Sequence, residues 1–183
     1  MFPDFIDLIE ILNKHKVRYL IVGGYAVARY AQPRYTQDLD ILIHAEPRNA
    51  ALVLNALREF GAPLRTRAAL SDISAPAPRR LDARDFQDTG AWYTMGVAPI
   101  AIDVLTKIPG VVFSAAWKSR QVFSVDEHGR INANFISHDD LISAKLASSR
   151  LQDLADVEAI RHRDRAAASK RRAAAKKKSA KPR

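Results

Sequence analysis

Apolar residues return at Phe5, Leu8, Ile9 and Leu12, the i, i+3, i+4, i+7 spacing that lays one stripe along a helix over about 3–15. The period then shortens. Val17 to Val22 is a run of β-branched, aromatic and aliphatic residues that predicts a strand, broken by Gly23 and Gly24. Tyr25 to Tyr30 reads as a short helix that stops near Pro33. Asp38 to Ile43 alternates again and predicts a second strand. Pro47 opens a helix to about Phe60, with Gly61 at its C-terminal end. Residues 62–90 carry little pattern, and 74–80 have the composition of a loop.

Beyond them, Trp92 to Met95 and Ile100 to Leu105 read as strands joined through Gly96 and Pro99. Pro109-Gly110 is a turn, and Phe113 to Trp117 a short helical turn. Gln121 to Val125 and Ile131 to Ile136 flank turn residues at 126–129, as in a hairpin. Ser137 is placed to cap a helix, with Asp140 three residues on, and that helix runs to about Arg150. A last helix begins near Leu151 and continues into the tail, where alanine gives some helical tendency. Strands mixed with helices in this order predict an α/β (α+β) fold, a mixed sheet flanked by helices. The expected division is a core at 1–136, a helical segment packed on it at 137–165, and a basic, disordered tail at 166–183.

Charge changes this picture only at the end of the chain. The protein has 183 residues and a formal charge of +9. From Arg161 to Arg183 there are eleven Lys/Arg and one acid, Asp164, a formal +10, so the first 160 residues stand near −1. The tail holds Ala, Lys and Arg with no apolar face to bury, which is why composition assigns it to disorder. Its charge suits nucleic-acid phosphates. There are no cysteines, which excludes disulfides and thiolate metal sites. Five scattered histidines show no metal-ligand spacing. Asp4, Asp7 and Glu10 interrupt what a secretory signal would need, and no apolar run approaches the ~20 residues of a bilayer span. A cytoplasmic setting is expected.

Candidate chemistry lies on two strands. In Asp38-Leu39-Asp40, alternation puts both acids on one face, ~6.6 Å apart along the backbone, while Leu39, Ile41 and Ile43 face a core. Two such carboxylates repel unless a cation lies between them, and Mg2+ takes carboxylates together with phosphate oxygens. Asp103 is a single acid in the apolar alternation of Ile100 to Leu105. It completes a three-carboxylate cluster if the strands are neighbours. Gly23-Gly24, between a strand and a helix N-terminus, lets backbone N–H groups approach an anion. No Gly-x-Gly-x-x-Gly or P-loop motif is present.

Strand, Gly23-Gly24, helix, then Thr36-Gln37-Asp38-Leu39-Asp40, with Asp103 on a later strand, resembles the nucleotidyltransferase signature of the polymerase-beta superfamily. The stretches 34–40 and 96–110 are similar to a bacterial family of minimal nucleotidyltransferases. Residues 140–156 are similar both to that family and to the AbiEii-type toxins. The likeness covers about 15–160 and leaves out the tail. Ala101 stands where such relatives carry a basic or polar residue, which bears on substrate contacts rather than on the metal site.

The resemblance implies transfer of a nucleoside monophosphate from an NTP such as ATP to a hydroxyl acceptor, RNA or tRNA among them. It also implies a toxin–antitoxin setting with a cognate antitoxin. Asp38, Asp40 and Asp103 would hold Mg2+, as a two-metal site, and Gly23, Gly24 and Thr36 would contact phosphate. Lys145 would match a lysine on nucleotide phosphate, with Asp153 the acid near it. A plain salt bridge between Lys145 and Asp153 explains that pair equally well. Two other readings compete: a non-catalytic nucleic-acid-binding protein, resting on the tail, and an inactive nucleotidyltransferase fold serving as a partner.

Overall fold

Helix α1 (Pro3–Lys14) buries the stripe that its spacing announces, Phe5, Leu8, Ile9 and Leu12. Each such side chain contributes about 1.5–3 kcal/mol of transfer free energy. In this computed structural model the described residues are 1–32, 36–61, 64–66, 81–87, 90, 92–97 and 100–179, with the backbone alone for 64–66, 92, 96–97, 100 and 174–179. The loop expected at 74–80 lies outside them, as do Arg34 and Pro99.

After α1 come β1 (Tyr19–Ile21), α2 (Gly23–Tyr30), β2 (Leu39–Ile43) and α3 (Pro47–Phe60). Next are β3 (Leu64–Thr66), a 3-10 turn (Asp85–Gln87), and the antiparallel pair β4 (Trp92–Val97) and β5 (Ile100–Leu105). The order closes with α4 (Phe113–Ser119), the hairpin β6 (Gln121–Ser124) and β7 (Asn132–Phe135), α5 (His138–Ser148) and α6 (Leu151–Ser179). Among the described residues the strands form one seven-stranded mixed sheet in the order β3-β4-β5-β2-β1-β7-β6. This is the mixed α/β class that the pattern predicts.

Two capping expectations are met. Gly61 closes α3 at φ +80, where a side chain would be strained, and its N–H reaches the Leu57 carbonyl. Ser137 Oγ accepts the Asp140 N–H at 3.2 Å and donates to Asp140 Oδ2 at 2.6 Å. Buried Asn49 accepts from Arg18 N–H and donates to the Arg18 and His44 carbonyls, so α3 ties the start of β1 to the end of β2. Helix α1 packs on α3, and α2 packs on β2, α5 and α6.

The tail departs from expectation. Instead of disorder from residue 166, α6 continues as one helix through Ser179. Its last buried residue is Ile160. The remainder is held as helix by alanine-rich propensity on a stem already nucleated in the body. Residues 180–183 lie outside the described residues.

Candidate active site

Strand β2 lies between β1, antiparallel to it, and β5, parallel to it. In the β2–β5 register Asp40 sits directly opposite Asp103, and Leu39 opposite Ile102. Pleating sends directly opposed residues to one face, so the two acids emerge side by side while Leu39, Ile41 and Ile102 are buried on the other. Asp103 is only 7% exposed and accepts a 2.6 Å hydrogen bond at Oδ1 from Thr94 Oγ1 on β4.

Asp38 precedes β2 and is exposed, yet near enough for its charge to act on Asp40. Among the described residues no group of three or more acids or histidines is arranged to hold a metal ion. The fold supplies a two-carboxylate wall with Asp38 at its open end.

The glycine turn is part of that wall. Gly23 has φ +59, and a Cβ there would fall 1.9 Å from Asp40 Oδ2. Only glycine lets the backbone lie against this carboxylate. A Cβ on Gly24 would come 2.5 Å from Thr36 Oγ1, so Thr36 packs onto the turn, and its hydroxyl points to the Asp38 carbonyl at 3.4 Å. Val22 N–H donates to the Asp40 carbonyl at 2.9 Å, which fixes the start of α2 on β2.

Electrostatics set Asp40 apart from an ordinary carboxylate. Burial, then the charges of Asp103 and Asp38, push its pKa up to about 6, against a smaller downward pull from Lys145 and a Gly24 backbone hydrogen bond. Hard oxygens that repel each other, buried at Asp103 and half-buried at Asp40, beside a backbone that leaves room for no Cβ, fit a divalent cation such as Mg2+.

Opposite stands a second charged group. Ser149 adopts φ 55 and turns α5 sharply into α6. This corner brings Lys145 Nζ within 2.7 Å of Asp153 Oδ1 and 2.9 Å of Asp156 Oδ2. Gln152 Nε2 donates to the other Asp156 oxygen at 3.2 Å. Burial raises the pKa of Asp153, but hydrogen bonds from Lys145 and Ser148 and the charges of Lys145 and Arg150 outweigh it, leaving it below the usual carboxylate value.

Asp156, 2% exposed, was missed by the sequence reading. Its signal was the three-residue step from Asp153, which puts both acids on one side of a helix. A cavity of about 170 Å³ joins the two walls, lined by Gly23, Asp40, Lys107, Lys145, Arg150 and Asp153 among others. Gly24, Thr36, Asp38 and Asp103 border the wall without lining this cavity.

A larger cavity of about 380 Å³ lies past the ends of β2 and β5 and shares Lys107 with the first. Sequence reasoning missed it. His44, at its edge, stacks on Phe113 with centroids 4.8 Å apart and planes 12° apart. Phe113 stacks in turn on Trp117.

Chemically, this arrangement sets a pair of repelling carboxylates beside a lysine that is already held by two acids. The class follows from comparison with known families. Residues 4–167 match the model of a family described as a nucleotidyltransferase of unknown function (DUF6036), so the chain belongs to that family and is an enzyme of the nucleotidyltransferase class. No curated protein matches the chain significantly. Among the described residues no helix is long and apolar enough to cross a membrane.

Proposed function

We propose that this protein transfers a nucleoside monophosphate from an NTP to a hydroxyl acceptor, with Asp40 and Asp103 as the Mg2+-holding pair and Asp38 joining them from the open end. The observation that carries the reading is the in-register opposition of Asp40 and Asp103 next to the Gly23 backbone, with Asp40 lining one cavity together with Lys145. Mg2+ bound there, in one or two ions, would neutralise triphosphate charge and acidify the acceptor hydroxyl.

In the transfer, the acceptor oxygen bonds to the α-phosphorus as the bond to the bridging oxygen breaks, and pyrophosphate leaves. Asp103 takes up the hydroxyl proton. The backbone N–H of Gly23 contacts phosphate, that of Gly24 holds the Asp40 carboxylate, and Thr36 holds the turn in place. Lys145, held in place by Asp153 and Asp156, compensates charge on departing pyrophosphate. Little else is needed, because phosphoryl-type transfer depends chiefly on positioning and charge compensation.

For the acceptor, the likeness of residues 140–156 to AbiEii-type toxins favours RNA, tRNA included, and with it a cognate antitoxin. The test is incubation with each α-labelled NTP and, in parallel, total RNA, protein extract and small hydroxyl compounds. The expected result is Mg2+-dependent label in the RNA fraction, lost in Asp40→Asn. No labelled product in any fraction, or equal label from the variant, would overturn the reading.

A further inference from the structure

Helix α6 does two things along one axis. Its first turns carry Asp153 and Asp156, which hold Lys145. Past Ile160 it leaves the body and continues for another 19 residues, 161–179, about 28 Å of helix. The point of departure is fixed. Arg163 Nη1 donates to the Arg29 and Ala31 carbonyls at the end of α2, at 2.8 and 3.0 Å. His138 bridges to Asp164 at 3.0 Å.

The projecting part carries nine Lys/Arg against Asp164. It also lies outside the family match, apart from its first residues.

Three features narrow what such a helix can hold. Between the basic residues it has Ala and Ser, with no apolar stripe, so it lacks the face that would seat it in a lipid surface. From 161 to 183 there is no Phe, Tyr or Trp, so it offers no stacking platform for the bases of a single strand.

Its charges are also spread around the axis. At about 100° per residue, Arg161 and Arg172 fall within about 20° of each other, Lys170 lies opposite, and Arg171 lies to the side, while Arg165 pairs with Glu158. A flat anionic surface would satisfy one side only. A groove with phosphates on both walls can meet Arg161, Lys170, Arg171 and Arg172 together. An α-helix about 10–12 Å across, slimmed here by Ala166, Ala167 and Ala168, suits the ~12 Å major groove of B-form DNA. The deep groove of A-form RNA is too narrow for it.

We infer that the free half of α6 is a rigid arm that grips a B-form DNA duplex through its phosphates, whatever the sequence, and holds the catalytic body at a fixed reach from it. This does not rest on the transferase reading. The arm and the carboxylate wall are separate parts of the molecule, and the test separates them.

Fluorescence anisotropy over a salt series would compare a DNA duplex, an RNA duplex of the same sequence, and the single strands. Full-chain proteins serve throughout. Wild type is expected to bind duplex DNA most tightly, and Asp40→Asn to bind it equally well. Changing Lys170→Gln, Arg171→Gln and Arg172→Gln together should weaken binding at least tenfold near 0.1 M salt and reduce the log–log salt slope by about 3. Ala168→Pro keeps every charge but breaks the axis. It should keep the slope and lose the preference for duplex over single strand. An unchanged slope in the triple variant, duplex RNA bound as tightly as duplex DNA, Ala168→Pro indistinguishable from wild type, or loss of binding in Asp40→Asn would each overturn the arm.

Discussion

The two walls of the cavity bury charge in opposite ways. On the α5–α6 side, Lys145 lies between Asp153 and Asp156 with short hydrogen bonds to both, and Asp153 sits below its usual pKa. On the sheet side, Asp40 has Asp103 and Asp38 for neighbours, and burial with their repulsion lifts it to about 6. One wall carries its own counter-charge, whereas the other sets carboxylates beside one another. Carboxylates with raised pKa values cluster at functional sites, which is why the proposed ligand is placed at Asp40.

This contrast predicts opposite signs for two similar substitutions. The largest effect is expected at Asp40. Its folded pKa is raised from 3.8 to about 6, so the folded state binds more protons between those values and stability falls as pH rises through that window. Without metal, Asp40→Asn should therefore be more stable than wild type above pH 6, by up to about 3 kcal/mol, with the gain gone below pH 4. Denaturant melts at pH 4 and 8 in chelator check this.

Asp156→Asn should destabilise the protein at neutral pH by about 1–3 kcal/mol, because Lys145 loses one of two buried anions. For Asp153 the sign is the reverse of that for Asp40. Its lowered pKa gives stability that is present above 3.8 and is lost as pH falls further. If both variants shifted the melt in the same direction, the contrast between the walls would fail.

Gly23→Ala comes next. A left-handed φ costs a residue with a Cβ about 1–2 kcal/mol, and the new methyl must displace the Asp40 carboxylate. Magnesium binding should weaken at least tenfold while the melting temperature drops by several degrees, measured by titration and calorimetry on one sample. The smallest effect is expected from removing 166–183. That segment lies beyond the last buried residue, Ile160, so the melting temperature should stay within about 1 °C of wild type.

Much of the sheet-side wall was legible in the sequence, because strand alternation is a local rule. Asp40 and Asp103 each stood out as an acid within the apolar alternation of its own strand, and Gly61 and Ser137 carried their capping roles in their residue types. Nothing local revealed that β2 and β5 pair in parallel with those two acids opposite each other. That register depends on contacts between residues some 60 positions apart. Asp156 went unassigned although it lies one helical step from Asp153, because Asp153 alone already accounted for the charge of Lys145. The helical tail was misread because composition reports the lack of an apolar face but not a stem already folded at Leu151–Ile160.

The central claim is that Asp40 and Asp103 form a cation site that loads an NTP. Isothermal titration with each of the four NTPs, in Mg2+ and again in excess chelator, on wild type, Asp40→Asn and Asp103→Asn, tests it most directly. At least one NTP is expected to bind wild type only when Mg2+ is present, with binding lost in both variants while their melts show an intact fold. Equal binding in chelator, or unchanged Mg2+-dependent binding by a folded Asp40→Asn protein, would contradict it.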